Sequence, residues 1–295
     1  MTNQFVIESQ LEKLDVINTE ILDECGFDRF KYYKAKQTLI CPKHGEVTFS
    51  CVVTNKSKEY LGSLKKCCPE CVDQAVKAKE QWDFTQEWKR DYSVACLPDH
   101  LKAVRFNEFK TNDDRQNKII NFLQSYAEKF ANGERKTLPN ILMVGSTGTG
   151  KTMLASCVIN DVFAKAFKDR KQASARFIRS SEITQGCWTA RQEYGTTEQA
   201  FLDTFINKPL LVIDDLGEND TSGNAEWAKR DRERLSEILD NRYQSIPTII
   251  TSNMTVDQVE QFLGDRAFDR LQERLVIIRC DWESHRQQNR VVMEL

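Results

Sequence analysis

Residues 140–152 read NILMVGSTGTGKT, an apolar run that breaks into a glycine-rich loop ending in Lys151 and Thr152. The loop fits G-x-x-x-x-G-K-[ST], and no other stretch narrows the choice of fold as much, because this spacing belongs between a strand and a helix. Gly145, Gly148 and Gly150 let the backbone take φ values that a β-carbon resists. The N–H groups of Gly145, Ser146, Thr147, Gly148, Thr149 and Gly150 are then expected to turn inward around a chain of phosphates. Lys151 supplies a point charge for the β- and γ-phosphates of ATP, and Thr152 supplies a hydroxyl to Mg²⁺. The helix that opens there, Met153 to Ala164, adds its positive N-terminus. The competing reading, a glycine-rich turn with a chance lysine, leaves the strand-like run before it and the helical run after it unexplained.

From this loop onward short apolar runs alternate with helical ones: Ile141 to Val144, Arg176 to Ile178, Leu210 to Ile213, Thr248 to Thr251 and Val276 to Ile278. Such alternation predicts an α/β fold, a P-loop NTPase of three layers with a mainly parallel sheet between helices. Ligands of such sheets lie at the carboxyl ends of the strands, so the chemistry is sought where each run stops. The third run stops at Asp214-Asp215 in LLVIDDLG. A carboxylate there is costly unless it faces a cation, and the Mg²⁺ held by Thr152 is one, which makes Asp214 the second magnesium ligand. Asp215, one residue on and pointing elsewhere, is the candidate for polarising the attacking water; the alternative is an N-cap or turn pair before Gly217. The fourth run, PTIITSN, stops at Asn253, whose amide accepts and donates at once and so suits a water beside a γ-phosphate. A capping box follows from Thr255 to Gln258, so Asn253 also fits as a plain turn residue.

The N-terminal part is organised differently. Six of the ten cysteines fall between positions 25 and 71. Cys41-Pro42-Lys43-His44 and Cys68-Pro69-Glu70-Cys71 each place two ligand types two residues apart with proline after the first. Twenty-three residues separate them and include the strand-like Glu46 to Val53, which predicts a zinc ribbon with one Zn²⁺ on Cys41, His44, Cys68 and Cys71. Cys67 competes with Cys68, but only Cys68 reproduces the C-P-x-(C/H) spacing; the rival to the whole site is a set of reduced core thiols. Cys25, Cys51, Cys96, Cys157, Cys187 and Cys280 read as buried thiols.

Before the ribbon, Ile7, Leu11, Leu14, Ile17 and Ile21 recur at helical spacing, and residues 1–28 hold seven acids against one lysine. Residues 29–79 reverse the sign, with eleven Lys/Arg and four acids. The expected organisation is an amphipathic acidic helix over 1–28, a zinc-ribbon-like module over 29–79, a helical connector over 80–96 and the P-loop domain over 97–295. The acidic helix fits equally a neighbouring domain or a partner. Net charge is −2, mean hydropathy is −0.55, and no apolar stretch approaches the roughly 18 residues of a membrane span. The N-terminus carries acids where a signal peptide has lysines, so a cytoplasmic protein with no membrane contact is expected.

Taken together, GSTGTGKT, IDDLG, TSN, LGDRAFDRL and DWESHR resemble the AAA+ ATPases of the DnaC-like replicative helicase loaders and their IstB-like transposition relatives. The resemblance runs over roughly residues 97 to 290 and includes the approach LPDHLKAVRFNEF. It implies that Asn253 is the sensor-1 residue, that Arg270 is an arginine finger given to a neighbour's ATP with Arg266 one turn before it, and that Arg286 is the sensor-2 arginine. Without it, Arg266 and Arg270 read as a solvated helix face paired with Asp265, Asp269 and Glu273. The chain departs from the pattern in three places: Asp215 stands where many AAA+ proteins have Glu, only seventeen residues (279–295) follow the last strand-like run, and the best-known loaders lack the ribbon.

The resemblance thus implies an ATPase that binds single-stranded DNA, self-associates through its AAA+ domain and delivers a replicative DNA helicase. A transposition helper is the rival built on the same engine, and a small-molecule P-loop kinase is the rival of another class. For DNA contact the sequence offers Trp188, Arg191 and Tyr194, then Trp227, Lys229 and Arg230, sets of aromatics beside cations that equally suit an amphipathic helix surface. The basic ribbon is a third candidate.

Overall fold

The computed structural model describes residues 32–54, 68–111, 113–218, 225–243 and 246–284. The acidic helix expected over 1–28, Cys25, Cys67 and Arg286 lie outside them, as does the side chain of Cys51. The chain divides into two compact units, residues 1–85 and 86–295.

In the first unit, β1 (Tyr32–Cys41) and β2 (Gly45–Thr54) pair antiparallel from Tyr32↔Thr54 to Cys41↔Gly45. Gly45 closes the turn at φ 72°, left-handed backbone that glycine takes without strain. Helix α1 (Pro69–Val94) starts on proline, whose missing N–H is no loss at the first helical position. The boundary between the units falls within this helix.

The second unit is a five-stranded sheet, all parallel: β3 (Asn140–Val144), β4 (Ala175–Arg179), β5 (Leu210–Leu216), β6 (Thr248–Ser252) and β7 (Leu275–Arg279), in the order β4-β5-β6-β3-β7. All five expected runs are strands. Their side chains alternate between two cores. Ile141, Met143, Leu210 and Val212 face a cluster with Leu123 and Phe130 of α2 (Asp114–Ala131) and Leu154 and Phe163 of α3 (Lys151–Lys168). Leu142, Val144, Leu211 and Ile213 face the other, built with α4 (Ser180–Gln192), α5 (Glu198–Ile206), α6 (Ala225–Arg242), α7 (Val256–Leu263) and α8 (Asp265–Gln272). Period-two alternation on strands buried on both sides therefore yields three layers, and each fully buried Leu or Ile contributes roughly 1.5–3 kcal/mol.

Two buried polar side chains tie loops to this frame. Asn160 on α3 donates 2.9 Å bonds to the carbonyls of Leu101 and Val104, fixing the segment that leads to Phe109. Arg242, 2 % exposed, spends its guanidinium on the carbonyls of Phe205, Ile206, Lys208 and Pro247 and on Thr248 Oγ1. Burial pulls its pKa down to about 9.

Cys157, Cys187 and Cys280 are buried as expected, with burial pushing their thiols up to about 12, 11 and 12. Cys96 is not. Where the chain leaves α1 it turns left-handed at Cys96 (φ 56°), which sends the thiol outward to accept a 2.8 Å bond from Arg176 Nη1.

Candidate nucleotide and metal sites

The strand order decides which side chains meet. β6 lies between the P-loop strand β3 and β5, so the residue ending β6 falls between the loop and the aspartates. Lys151 Nζ donates to Asn253 Oδ1 at 2.8 Å and to the carbonyls of Gly145 and Ser146 at 2.9 and 2.8 Å. Asn253 Nδ2 stands 3.5 Å from Asp215 Oδ1 on its other side. Asn253 thus bridges the loop lysine and the second aspartate, a placement that follows from the sheet order.

Asp214 is 1 % exposed and accepts from Thr251 Oγ1 at 2.6 Å and from the Thr152 side chain. Burial raises its pKa above the usual carboxylate range, against the pull of those two hydroxyls. A buried carboxylate touching a P-loop threonine hydroxyl is a hard-oxygen pair suited to Mg²⁺, so the donor set fits that ion.

Asp215 has φ 52°, left-handed for a non-glycine, at a shift in the β5–β6 register between Ile213 and Leu216. Its N–H donates to Thr251 Oγ1 at 3.0 Å. The bulge turns the second carboxylate away from the first and toward Asn253. Backbone strain stored at such a residue persists only where its surroundings impose it.

The loop itself is held from two sides that sequence reading did not foresee. A β-carbon on Gly145 would meet the Cys280 carbonyl oxygen at 2.1 Å, and one on Gly150 would meet the Phe109 ring at 2.5 Å. Trp282 donates its indole N–H to the Thr149 carbonyl at 2.9 Å and packs edge-on against Phe109. Only the positions of Phe109 and Trp282 in the quoted segments hinted at this. The resulting pocket measures about 470 Å³ and is lined by the loop from Thr147, by Asp214, Asp215 and Asn253, and by Phe109 and Arg179. That volume lies in the range of small-molecule sites.

Arg270 is elsewhere. It sits on α8, paired with Asp240 of α6 and lying over the Tyr243 ring at 5.5 Å; Arg266 shares Asp240 at 3.5 Å. Asp240, rather than the expected Asp265, Asp269 or Glu273, is the partner, because α6 crosses α8 there.

In the first unit Cys41, His44, Cys68 and Cys71 converge, all ligand atoms within 4.8 Å of one another. His44 Nδ1 is 3.6, 3.6 and 3.4 Å from the sulfurs of Cys41, Cys68 and Cys71, and Cys41 Sγ is 3.6 Å from Cys71 Sγ. A tetrahedral zinc with its usual bond lengths sets N···S at ~3.6 Å and S···S at ~3.8 Å, so the set fits Zn²⁺. The backbone N–H of Lys43 pulls the Cys41 thiol down to about 6, and its hydrogen bond pushes Cys71 up to about 11. Gln74 lies 3.1 Å from His44 Nε2; with its amide oxygen turned to Nε2–H it leaves the Nδ1 lone pair for the ion.

The DNA-contact candidates are exposed but largely neutralised. Trp188 is 51 % exposed and Tyr194 fully so, yet Arg191 pairs with Glu198. Lys229 and Arg230 pair with Glu233 and Glu226 on their own helix. No helix among the described residues is long and apolar enough to cross a membrane.

Over 140 residues the chain is 28% identical to the ATP-dependent zinc metalloprotease FtsH of Helicobacter pylori (strain ATCC 700392 / 26695), covering 46% of this chain and 21% of that protein. The chain thus spans about a fifth of the length of that curated relative. Among solved structures, DnaI is similar at 21% identity and TM-score 0.49, over 66% of this chain and 98% of that one. AMPPCP-bound DnaA from Aquifex aeolicus is similar at 20% identity and TM-score 0.44, over 59% and 49%. Residues 56–292, which include the P-loop, both aspartates and Asn253, match the profile of IstB-like ATP binding proteins. By that match the chain belongs to the IstB-like family of P-loop ATP-binding proteins.

Proposed function

We propose that the chain is an ATP-hydrolysing loader that holds single-stranded DNA with its AAA+ domain and delivers a replicative helicase. The observation that carries the ATPase reading is the contiguous line Lys151–Asn253–Asp215 beside the buried Thr152–Asp214 pair. In this reading the backbone of Gly145 to Gly150 and the Lys151 ammonium bind the phosphates. Thr152 and Asp214 hold Mg²⁺, which when bound neutralises charge on the phosphate oxygens. Asp215 and Asn253 orient a water, and Asp215 takes up its proton as the γ-phosphorus bonds to the water oxygen and parts from the bridging oxygen, giving ADP and phosphate. Arg270 acts on a neighbouring copy's nucleotide, exchanging Asp240 for phosphate, and Arg286 completes the site from its own chain. The N-terminal module holds Zn²⁺ on Cys41, His44, Cys68 and Cys71 and carries the partner contact.

Lys151→Ala abolishes tight ATP binding while circular dichroism stays unchanged, since the lysine is a counter-charge at the pocket floor; undiminished affinity by filter binding sinks the ATP site. Capture with the full chain in the presence of ATP and single-stranded DNA then tests the loader: retention of a purified replicative helicase supports it. The second reading, a transposition helper, is favoured by the description of the matched family. Retention of a transposase instead of the helicase establishes that reading.

A further inference from the structure

Beyond β7 the chain runs along the flank of the P-loop and grips it at both ends. β7 pairs with β3 as far as Val144↔Arg279, so the residues after Arg279 continue beside the residues after Val144. At the entry of the loop the Cys280 N–H donates to the Val144 carbonyl at 2.7 Å, and the Cys280 carbonyl fills the space that a β-carbon on Gly145 would need. At its exit Trp282 Nε1 donates to the Thr149 carbonyl at 2.9 Å. The strap formed by Cys280, Asp281 and Trp282 is itself tied down by one side chain. Arg115, in the first turn of α2, donates Nη1 to Asp281 Oδ1 at 2.6 Å and Nη2 to the Arg279 carbonyl at 2.9 Å, on either side of Cys280. Arg115, Cys280 and Trp282 all lie outside the lining of the nucleotide pocket.

The consequence for the pocket follows from the peptide unit. A trans peptide is planar, with its C=O and N–H pointing in opposite directions. Trp282 holds the Thr149 carbonyl on the side away from the pocket, where Thr149 is fully buried. The N–H of the same peptide, that of Gly150, is thereby turned toward the pocket that Gly150 lines. A donor aimed in advance binds a phosphate oxygen without a further ordering cost. We propose that Trp282 and Arg115 are positioning residues for phosphate binding: the indole N–H fixes the Thr149–Gly150 peptide, and the Arg115 guanidinium fixes the strap that carries the indole. The inference rests on the reading of the pocket as an ATP site and adds to it two residues from outside its lining. Backbone N–H groups of such a loop cradle the α- and β-phosphates, which ATP and ADP share, so the strap acts on both nucleotides alike and on binding rather than on hydrolysis.

The test uses the full chain. Trp282→Phe keeps an aromatic ring against Phe109 and removes the N–H, whereas Arg115→Ala removes the anchor at an exposed position where substitution leaves the fold intact. Arg115→Lys keeps a cation for Asp281 but gives up the planar fork that also reaches the Arg279 carbonyl. Thermal melting of the nucleotide-free variants confirms folding, and titration calorimetry reads ATP and ADP separately. Trp282→Phe weakens both nucleotides about tenfold, roughly 1.4 kcal/mol, the size of one hydrogen bond. Arg115→Ala weakens both about threefold, as suits a half-exposed ion pair, and Arg115→Lys recovers part of that loss. In steady-state hydrolysis the same variants raise KM and leave kcat at saturating ATP as in the parent, the signature of lost uniform binding. Where Trp282→Phe does not fold, the two Arg115 variants decide alone. Parental affinities for ATP and ADP in Trp282→Phe and Arg115→Ala, with binding lost in Lys151→Ala, overturn this inference and leave the ATP site standing. Undiminished ATP binding in Lys151→Ala removes the ATP site and the inference with it. A loss confined to ATP or to kcat also overturns it, because the effect then belongs to the γ-phosphate or to the hydrolytic step.

Discussion

Asp214 shows what a metal site costs a single residue. Its folded pKa lies above the model-peptide value of 3.8, chiefly through burial, so the folded chain binds the proton more tightly than the unfolded one. Stability from this group is therefore present at low pH and falls as pH rises through the folded value. Asp214→Asn keeps an acceptor for Thr251 and removes the ionisable carboxyl. The nucleotide-free variant should melt at a higher temperature than the parent, yet gain nothing from ATP with Mg²⁺, which stabilises the parent. Scanning calorimetry decides it, and a lower melting temperature in the variant would make Asp214 a structural acceptor. Asp215 carries the complementary lesson. Its departure from the glutamate of many AAA+ proteins is visible in the sequence, but its left-handed backbone at φ 52°, a conformation Asp enters more readily than most non-glycine residues, is not. Spacing revealed which residues carry chemistry, whereas the conformation that aims them came from a bulge that no periodicity encodes.

At the level of elements, the hairpin and the head of α1 meet at one point, the four ligands Cys41, His44, Cys68 and Cys71. The paired C-P-x-(C/H) knuckles made that point legible, because ligand spacing is local. β1 was less so: YYKAKQTLIC interleaves Lys34 and Lys36 with its apolar residues and lacks the β-branched run that marked its partner. The helix expected as a connector reaches back to Pro69, so the second knuckle is a helix start rather than a free turn. Zinc binding to such a small site is worth on the order of 10 kcal/mol, ample to set the stability of a hairpin with little core. Elemental analysis should find one zinc per chain, lost in Cys68→Ser and kept in Cys51→Ser, which changes a β2 residue placed opposite Ala35. Equal retention in the two variants would mean that another set of atoms holds the ion.

For the whole molecule, the five strands were legible as apolar runs, but their order was not, and the order makes the site. With β6 inserted between β3 and β5, Asn253 touches both Lys151 and Asp215; in sequential order β4 and β5 would separate it from Lys151. The same three-dimensional crossing supplies Asp240 to Arg270, a pairing invisible in sequence because the two lie on α6 and α8 with a strand and a helix between them. That pairing makes a definite demand on the trans reading, since the guanidinium has to leave a carboxylate for a phosphate. Fingers of this kind are worth roughly 10³ to 10⁵ in rate where measured, a transition-state gain set against the loss of the partly buried pair with Asp240. Arg270→Ala should then bind ATP nearly normally and hydrolyse it poorly, whereas Asp215→Asn fails within its own pocket. An Arg270→Ala copy retains its aspartates and an Asp215→Asn copy retains its arginine, so some interfaces in a mixture combine both intact parts. Partial recovery of DNA-stimulated hydrolysis on mixing is the expected result. Its absence in mixtures shown by sedimentation to co-assemble would confine Arg270 to its ion pair with Asp240.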